Sequence, residues 1–197
     1  MRTVGRTALV LVSLLTAGLS VACTASDRPS TATGGASSSA TAQAGAQTPS
    51  APPSVSKISG PPCTAEDFKV SGALGAKPAI TVPTTCAPPA SLLIKDLEPG
   101  TGTEIKQGST AALHYVLATF SDHKTREASW DGGQPFELQN IGQAGVIQGW
   151  NEGLIGLKQG GRRLLVVPSD KGYPQGSGDI PPGETLVFVI DAVQVQG

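Results

Sequence analysis

Residues 146–157 read VIQGWNEGLIGL, and the apolar side chains of this segment follow a helical period, whereas the surrounding sequence follows a strand period. The apolar positions are Val146, Ile147, Trp150, Leu154 and Leu157. Their spacing predicts a short amphipathic helix. Gly149 and Gly153 lower its intrinsic stability by about 1 kcal/mol each relative to alanine, but they let the helix lie close against a flat surface.

The sequence on both sides of this helix has the period-two pattern of strands. The expected strands are residues 92–97, 111–118, 135–138, 162–167 and 185–195, with two weaker edge-strand candidates at 68–71 and 79–82. The expected fold class is therefore α+β, an antiparallel sheet of five to six strands wrapped over one short α-helix. Leu154 and Leu186 are expected to be ordinary core residues.

Residues 1–22 have the pattern of an export signal, with Arg2 and Arg6 ahead of a short apolar stretch. Small residues then precede Cys23, and the arrangement resembles a bacterial lipoprotein signal in which Cys23 receives the lipid. This resemblance implies a location outside the cytoplasm, anchored to the outer face of the cell membrane. The alternative is an ordinary cleaved signal in which Cys23 is incidental.

Residues 23–60 form a linker composed almost entirely of Ala, Ser, Thr, Gly, Pro and Gln, which cannot bury enough apolar surface to fold. The chain has three cysteines. If Cys23 carries a lipid, Cys63 and Cys86 remain to form a disulfide within an N-terminal extension, residues 61–89. Two free buried thiols are the alternative.

The composition argues against several classes of function. The 14 Lys and Arg residues balance 15 Asp and Glu and form no basic block, so nucleic acid is not an expected partner. Two histidines and three unclustered cysteines argue against a metal site. The sequence contains no run of 18 apolar residues, so no conventional transmembrane helix is expected. What remains is a set of large apolar side chains, which suits binding of an apolar group.

Six short motifs of the sequence occur in the same order as the motifs of a known protein family. They are His114-Tyr115, residues 128–131 (ASWD), Val146 to Trp150 (VIQGW), residues 160–163 (GGRR), residues 178–182 (GDIPP) and residues 185–188 (TLVF). Together they resemble the motifs of FKBP-type peptidyl-prolyl cis-trans isomerases. The resemblance covers about residues 90–197, which are expected to form the isomerase domain.

The resemblance implies a hydrophobic prolyl pocket and an isomerase that needs no cofactor and no metal. The implied pocket residues are Tyr115, Phe136, Val146, Ile147, Trp150, Tyr173, Ile180 and Phe188, with Glu127 and Trp130 as further substrate contacts. Alternatively, these side chains are ordinary core residues. The expected partners are proline-containing exported polypeptides and the family's macrolide ligands, and the chain is expected to act as a monomer.

Arg126-Glu127 departs from the Phe-Asp pair common in the family at this point. A pocket aromatic is thereby missing or displaced, which leaves a second function open. That alternative is a non-catalytic FKBP-fold module that holds a protein partner without turnover.

Overall fold

The computed structural model describes residues 60–197; the predicted signal segment, Cys23 and the linker up to residue 59 lie outside these residues. The strands found here are β1 (Lys69–Ser71), β2 (Ala79–Thr81), β3 (Leu93–Glu98), β4 (Thr110–Thr119), β5 (Thr125–Ala128), β6 (Phe136–Leu138), β7 (Arg162–Val167) and β8 (Leu186–Gln196). One α-helix, α1 (Gln148–Gly153), and two 3-10 helices, Ser129–Gly132 and Ser169–Lys171, complete the elements. Within residues 60–197 no helix is long and apolar enough to cross a membrane.

Six of the strands form one antiparallel sheet in the order β3-β7-β8-β4-β5, and β6 pairs with the same edge of β4 as β5 does. The long strand β8 lies at the centre, paired with β4 from Leu186 to Gln196 and with β7 from Leu186 to Asp191. This sheet with a single short α-helix confirms the predicted α+β class.

The sheet packs its inner face against α1 and the loops around it. Side chains at alternate positions of β8 point into this core, where Leu186 and Ile190 are fully buried. Leu154 is also fully buried, so both leucines assigned to the core are confirmed there. A Cβ placed on Gly149 would lie 2.4 Å from Cγ1 of Val167 on β7. Only glycine therefore lets α1 approach the sheet this closely.

The N-terminal extension covers the outer face of the sheet and forms a second core with it. Phe68 and Phe120 pack there with their ring centroids 6.2 Å apart, beside Val187 and Val189. The predicted disulfide between Cys63 and Cys86 is present and buried in this cluster.

A buried ion pair fastens the extension to the sheet. Arg162 on β7 donates to both carboxylate oxygens of Asp191 on β8, at 2.5 and 2.7 Å, and both side chains are nearly inaccessible to solvent. The same guanidinium donates to the carbonyls of Gly72 and Ala76, and Asp191 accepts the N–H of Gly75. Three hydrogen bonds, made by Gly72, Gly75 and Ala76, thus join the loop between β1 and β2 to the Arg162–Asp191 pair at the centre of the sheet.

The structure differs from the expectations in one pairing, in the length of the helix and in one additional strand. The segments at 68–71 and 79–82 do form strands, but they pair with each other in a separate two-stranded sheet rather than at an edge of the main one. The helix is only six residues long and ends at Gly153, and the chain then turns at Gly156 with φ of 84°. Strand β5 has no apolar alternation in its sequence TREA, and pattern reasoning missed it.

Candidate functional site

A cavity of about 160 Å³ opens between the inner face of the sheet and the N-terminal end of α1. It is lined by Tyr115, Leu117, Glu127, Phe136, Gly145, Val146, Ile147, Trp150, Tyr173 and Phe188. Seven of the eight residues assigned to the implied prolyl pocket therefore come together at one place, although they are distributed over strands, the helix and loops. The arrangement is concave and mostly apolar, as small-molecule sites usually are.

Trp150 on α1 lies at the centre of the aromatic rings of the cavity, and it is only 5% exposed. The rings of Tyr115 and Phe188 meet it edge-on, with centroids 5.2 and 5.5 Å away. Phe136 approaches from the open side at 6.0 Å and keeps 40% of its surface exposed. Edge-to-face contacts of this kind hold rings in fixed orientations, so the aromatic wall is formed before any ligand arrives.

Tyr115 and Glu127 supply a polar group on an otherwise apolar wall. The Tyr115 hydroxyl donates to Oε1 of Glu127 at 2.5 Å across the β4–β5 pair. Burial first, and then the hydrogen bond to Glu127 and its negative charge, raise the pKa of Tyr115 above the usual value for tyrosine. The phenol therefore stays protonated throughout the neutral range and continues to donate to the carboxylate.

Ile180 does not line this cavity but lies in an adjoining cleft. The two hollows share Leu117, Glu127 and Tyr173, and the cleft adds Arg126, Ser177, Asp179 and Ile180. Arg126 points toward Asp122 and Thr119, to which it donates at 2.6 and 3.0 Å. The position that departs from the family pattern thus carries a charged side chain in the cleft next to the cavity.

Trp130, assigned to substrate contact, lies outside the cavity. Its ring stacks on His114 with centroids 4.7 Å apart, and its Nε1 lies 3.4 Å from the carbonyl oxygen of Gly75 in the extension. His114 and Tyr115 are neighbours on β4 and point to opposite faces of the strand. Trp130 therefore packs with the side of the strand that carries His114.

Pattern reasoning missed two of the lining residues, Leu117 and Gly145. Leu117 lies two positions after Tyr115 on β4, and the strand period of two places both on the same face. That signal was available in the sequence. Gly145 lies in an irregular loop, and a glycine there has no side chain by which a pattern could assign it.

Comparison with known proteins identifies the family. A family model described as FKBP-type peptidyl-prolyl cis-trans isomerase matches residues 102–193. The FK506-binding protein of Streptomyces anulatus is 45% identical over 111 residues, which cover 55% of this chain and 89% of that protein. The chain belongs to the family of FKBP-type peptidyl-prolyl cis-trans isomerases. This confirms the family inferred from the six motifs.

Two further similar proteins are a relative and a solved structure. A probable FK506-binding protein of Corynebacterium glutamicum is 41% identical over 118 residues, which are 59% of this chain and 97% of that protein. The crystal structure of FkpA from Escherichia coli matches 53% of this chain and 48% of its own, with 34% identity and a TM-score of 0.49. Strands β1 and β2 and the disulfide precede the residues that the FKBP family model matches.

An FKBP-type isomerase rotates the peptide bond before proline. The described residues contain no cluster of three or more His, Cys, Asp or Glu side chains that is suited to a metal. The cavity is lined by aromatic rings, aliphatic side chains and the hydrogen-bonded Tyr115–Glu127 pair. These are groups that bind and orient a peptide rather than attack it.

Proposed function

We propose that this isomerase acts on exported proteins outside the cytoplasmic membrane, and that the cavity around Trp150 is its prolyl-binding site. The observation that carries the assignment of the site is the convergence of Tyr115, Phe136, Trp150 and Phe188, from three strands and a helix, on one cavity. The proline ring of the substrate rests against the indole of Trp150.

The rate enhancement follows from the polarity of the twisted peptide bond. Rotation has a barrier of about 18–20 kcal/mol because the planar amide is stabilised by resonance. At the twisted geometry this resonance is lost, and the carbonyl becomes less polar. A dry cavity that binds the twisted amide more tightly than the planar one lowers the barrier, and each 1.4 kcal/mol of that preference is worth about tenfold in rate.

The location outside the membrane is supported by three features of the chain. Residues 1–22 have the pattern of an export signal and are followed by Cys23. The buried Cys63–Cys86 disulfide belongs to the kind of bond that persists in oxidising compartments. The length of residues 24–60 is the third feature, since a flexible chain of that many residues has an end-to-end distance of about 30–37 Å, enough to hold a domain clear of a lipid surface.

Phe136 and Ile155 provide a matched test of the site, because they are 40% and 39% exposed and only Phe136 lines the cavity. In an assay of cis-to-trans conversion of a Leu-Pro peptide, Phe136→Ala is expected to lower kcat/KM about tenfold, equivalent to about 1.4 kcal/mol. Ile155→Ala should keep the wild-type value. FK506, after which the relatives are named, should compete with the peptide. Equal effects of the two substitutions would remove Phe136 from the site.

The membrane anchor predicts a lipid on Cys23. Intact-mass analysis of the protein extracted from membranes with detergent should show a diacylglycerol-containing Cys23 as the first residue and no free thiol at Cys63 or Cys86. The variant Cys23→Ala should move to the soluble fraction and keep its isomerase activity. A Cys23→Ala protein that stays in the membrane fraction would contradict the lipid anchor.

A further inference from the structure

One side chain holds the loop that forms a wall of the cavity. Oδ1 of Asn151 accepts hydrogen bonds from the N–H groups of Gly142 and Ala144, both at 3.0 Å. Its Nδ2 donates to the carbonyls of Ala144 at 3.0 Å and Val146 at 3.4 Å. These four bonds use both donors and both acceptor positions of the amide.

The loop has almost no other backbone support. Among the contacts of the described residues, the one further backbone hydrogen bond made by residues 142–146 is from the N–H of Gln143 to the carbonyl of Asn140. The loop belongs to no strand, and a helix begins only at Gln148. Apart from the packing of Ala144 and Val146 against the core, the conformation of residues 142–146 therefore depends on the Asn151 side chain.

The position of Asn151 links two parts of the cavity. It follows Trp150 directly on α1, whereas the loop it holds carries Gly145 and Val146 and leads into Ile147, all of which line the cavity. Asn151 itself is half-buried and does not line the cavity. One amide thus fixes the distance between the loop wall and the indole.

We propose that Asn151 is a positioning residue for the isomerase, holding residues 142–146 against α1 so that Val146 and Ile147 face Trp150 before a peptide binds. The inference rests on the proposed function of the cavity as the prolyl-binding site. Its physical basis is preorganisation, since a displacement of about 1 Å in a binding wall can lower a rate about 100-fold. Asparagine suits the position because it combines two donors with two acceptors on a short side chain.

The test compares Asn151→Leu and Asn151→Asp with the wild-type chain and with Gln148→Ala. Leucine has a similar shape and removes all four hydrogen bonds. Aspartate keeps the two acceptors but turns a carboxylate oxygen toward the carbonyls of Ala144 and Val146. Gln148 lies on the same helix, and among residues 60–197 its side chain bonds to the exposed side chain of Glu152 and not to the loop, so it serves as the control.

Two measurements are made on each protein, kcat/KM for a Leu-Pro peptide and amide hydrogen exchange resolved by residue. For Asn151→Leu, kcat/KM is expected to fall about 10- to 100-fold, and exchange at Gly142 and Ala144 should become at least about tenfold faster. Asn151→Asp should lose less activity, and Gln148→Ala none. Amides of β7 and β8 should keep wild-type exchange rates, which separates positioning from a general loss of stability.

Unchanged exchange in the loop, or faster exchange with wild-type kcat/KM, would overturn the proposal. Faster exchange throughout β7 and β8 would also overturn it, because Asn151 would then be a residue of the global fold; if the leucine variant does not fold, the aspartate variant decides. A wild-type chain without isomerase activity would instead overturn the proposed function. An active wild-type chain with equally active variants would overturn the role of Asn151 alone.

Discussion

Replacing Asp191 with alanine is expected to lower the free energy of unfolding by about 3–5 kcal/mol. The substitution leaves the buried guanidinium of Arg162 without its countercharge and leaves the N–H of Gly75 without its acceptor. Two carbonyls, those of Gly72 and Ala76, still accept from Arg162, but they do not neutralise it. The loss therefore exceeds that of an ordinary hydrogen bond, which is about 0.5–1.5 kcal/mol.

Chemical denaturation followed by tryptophan fluorescence measures this change, and an exposed ion pair of the same loop is the control. Lys77 lies 2.6 Å from Asp131, and their side chains are 43% and 66% exposed. Because water screens this pair, Asp131→Ala should cost at most about 1 kcal/mol. The double variant Arg162→Met, Asp191→Leu should be more stable than Asp191→Ala, since no charge is left buried. Equal losses for Asp191→Ala and Asp131→Ala would contradict the burial argument.

Gly149→Ala is expected to lower kcat/KM about 100-fold, the largest effect on activity expected from a single methyl group. The added Cβ would lie 2.4 Å from Cγ1 and 2.8 Å from Cγ2 of Val167, whereas ordinary contacts begin at 3.4 Å. α1 must move away from β7 by about 1 Å, and it carries Trp150 with it. Overpacking of this kind also costs about 1–3 kcal/mol of stability.

The second-site variant Val167→Ala tests this explanation directly, because it removes both methyl groups that the new Cβ would meet. The double variant Gly149→Ala, Val167→Ala should recover most of the activity lost in Gly149→Ala. Gly132→Ala is the control for a glycine with open space around it, and it should leave kcat/KM unchanged. A Gly149→Ala protein with wild-type kcat/KM would show that the close approach of α1 to β7 does not position Trp150.

The sequence predicted those strands whose side chains alternate between the inner and the outer face of the sheet. The bounds expected for β7, 162–167, match the structure, and β8 differs from the expected range by one residue at each end. Strand β5 could not be predicted from its pattern because it is an edge strand held by pairing with β4, and its sequence TREA has no apolar alternation. The helix ends at Gly153 and is shorter than its apolar stripe. Leu154 and Leu157 follow the helix in a turn, and they are nevertheless buried in the core.

The cavity could be predicted as far as the family motifs extend. Motif matching supplied Tyr115, Trp150 and their aromatic neighbours, and the structure brings them together. It gave no signal for Asn151, whose importance depends on a loop conformation that no periodicity reveals. Trp130 lies within a family motif, yet it stacks on His114 outside the cavity. The motif does not show on which face of the sheet a side chain lies, and that face decides whether the residue lines the cavity.

The central place of β8 has a consequence for the order in which the molecule can assemble. Thr110 pairs with Gln196, so β4 cannot pair with β8 until the chain has grown by more than 80 further residues. Such long-range pairing favours folding over milliseconds to seconds rather than microseconds. Until residues 186–196 have left the ribosome, β4 and β7 each present an unpaired edge, a state prone to aggregation. Phe188 belongs to that strand, so a nascent chain lacks one wall of the cavity until β8 has been made.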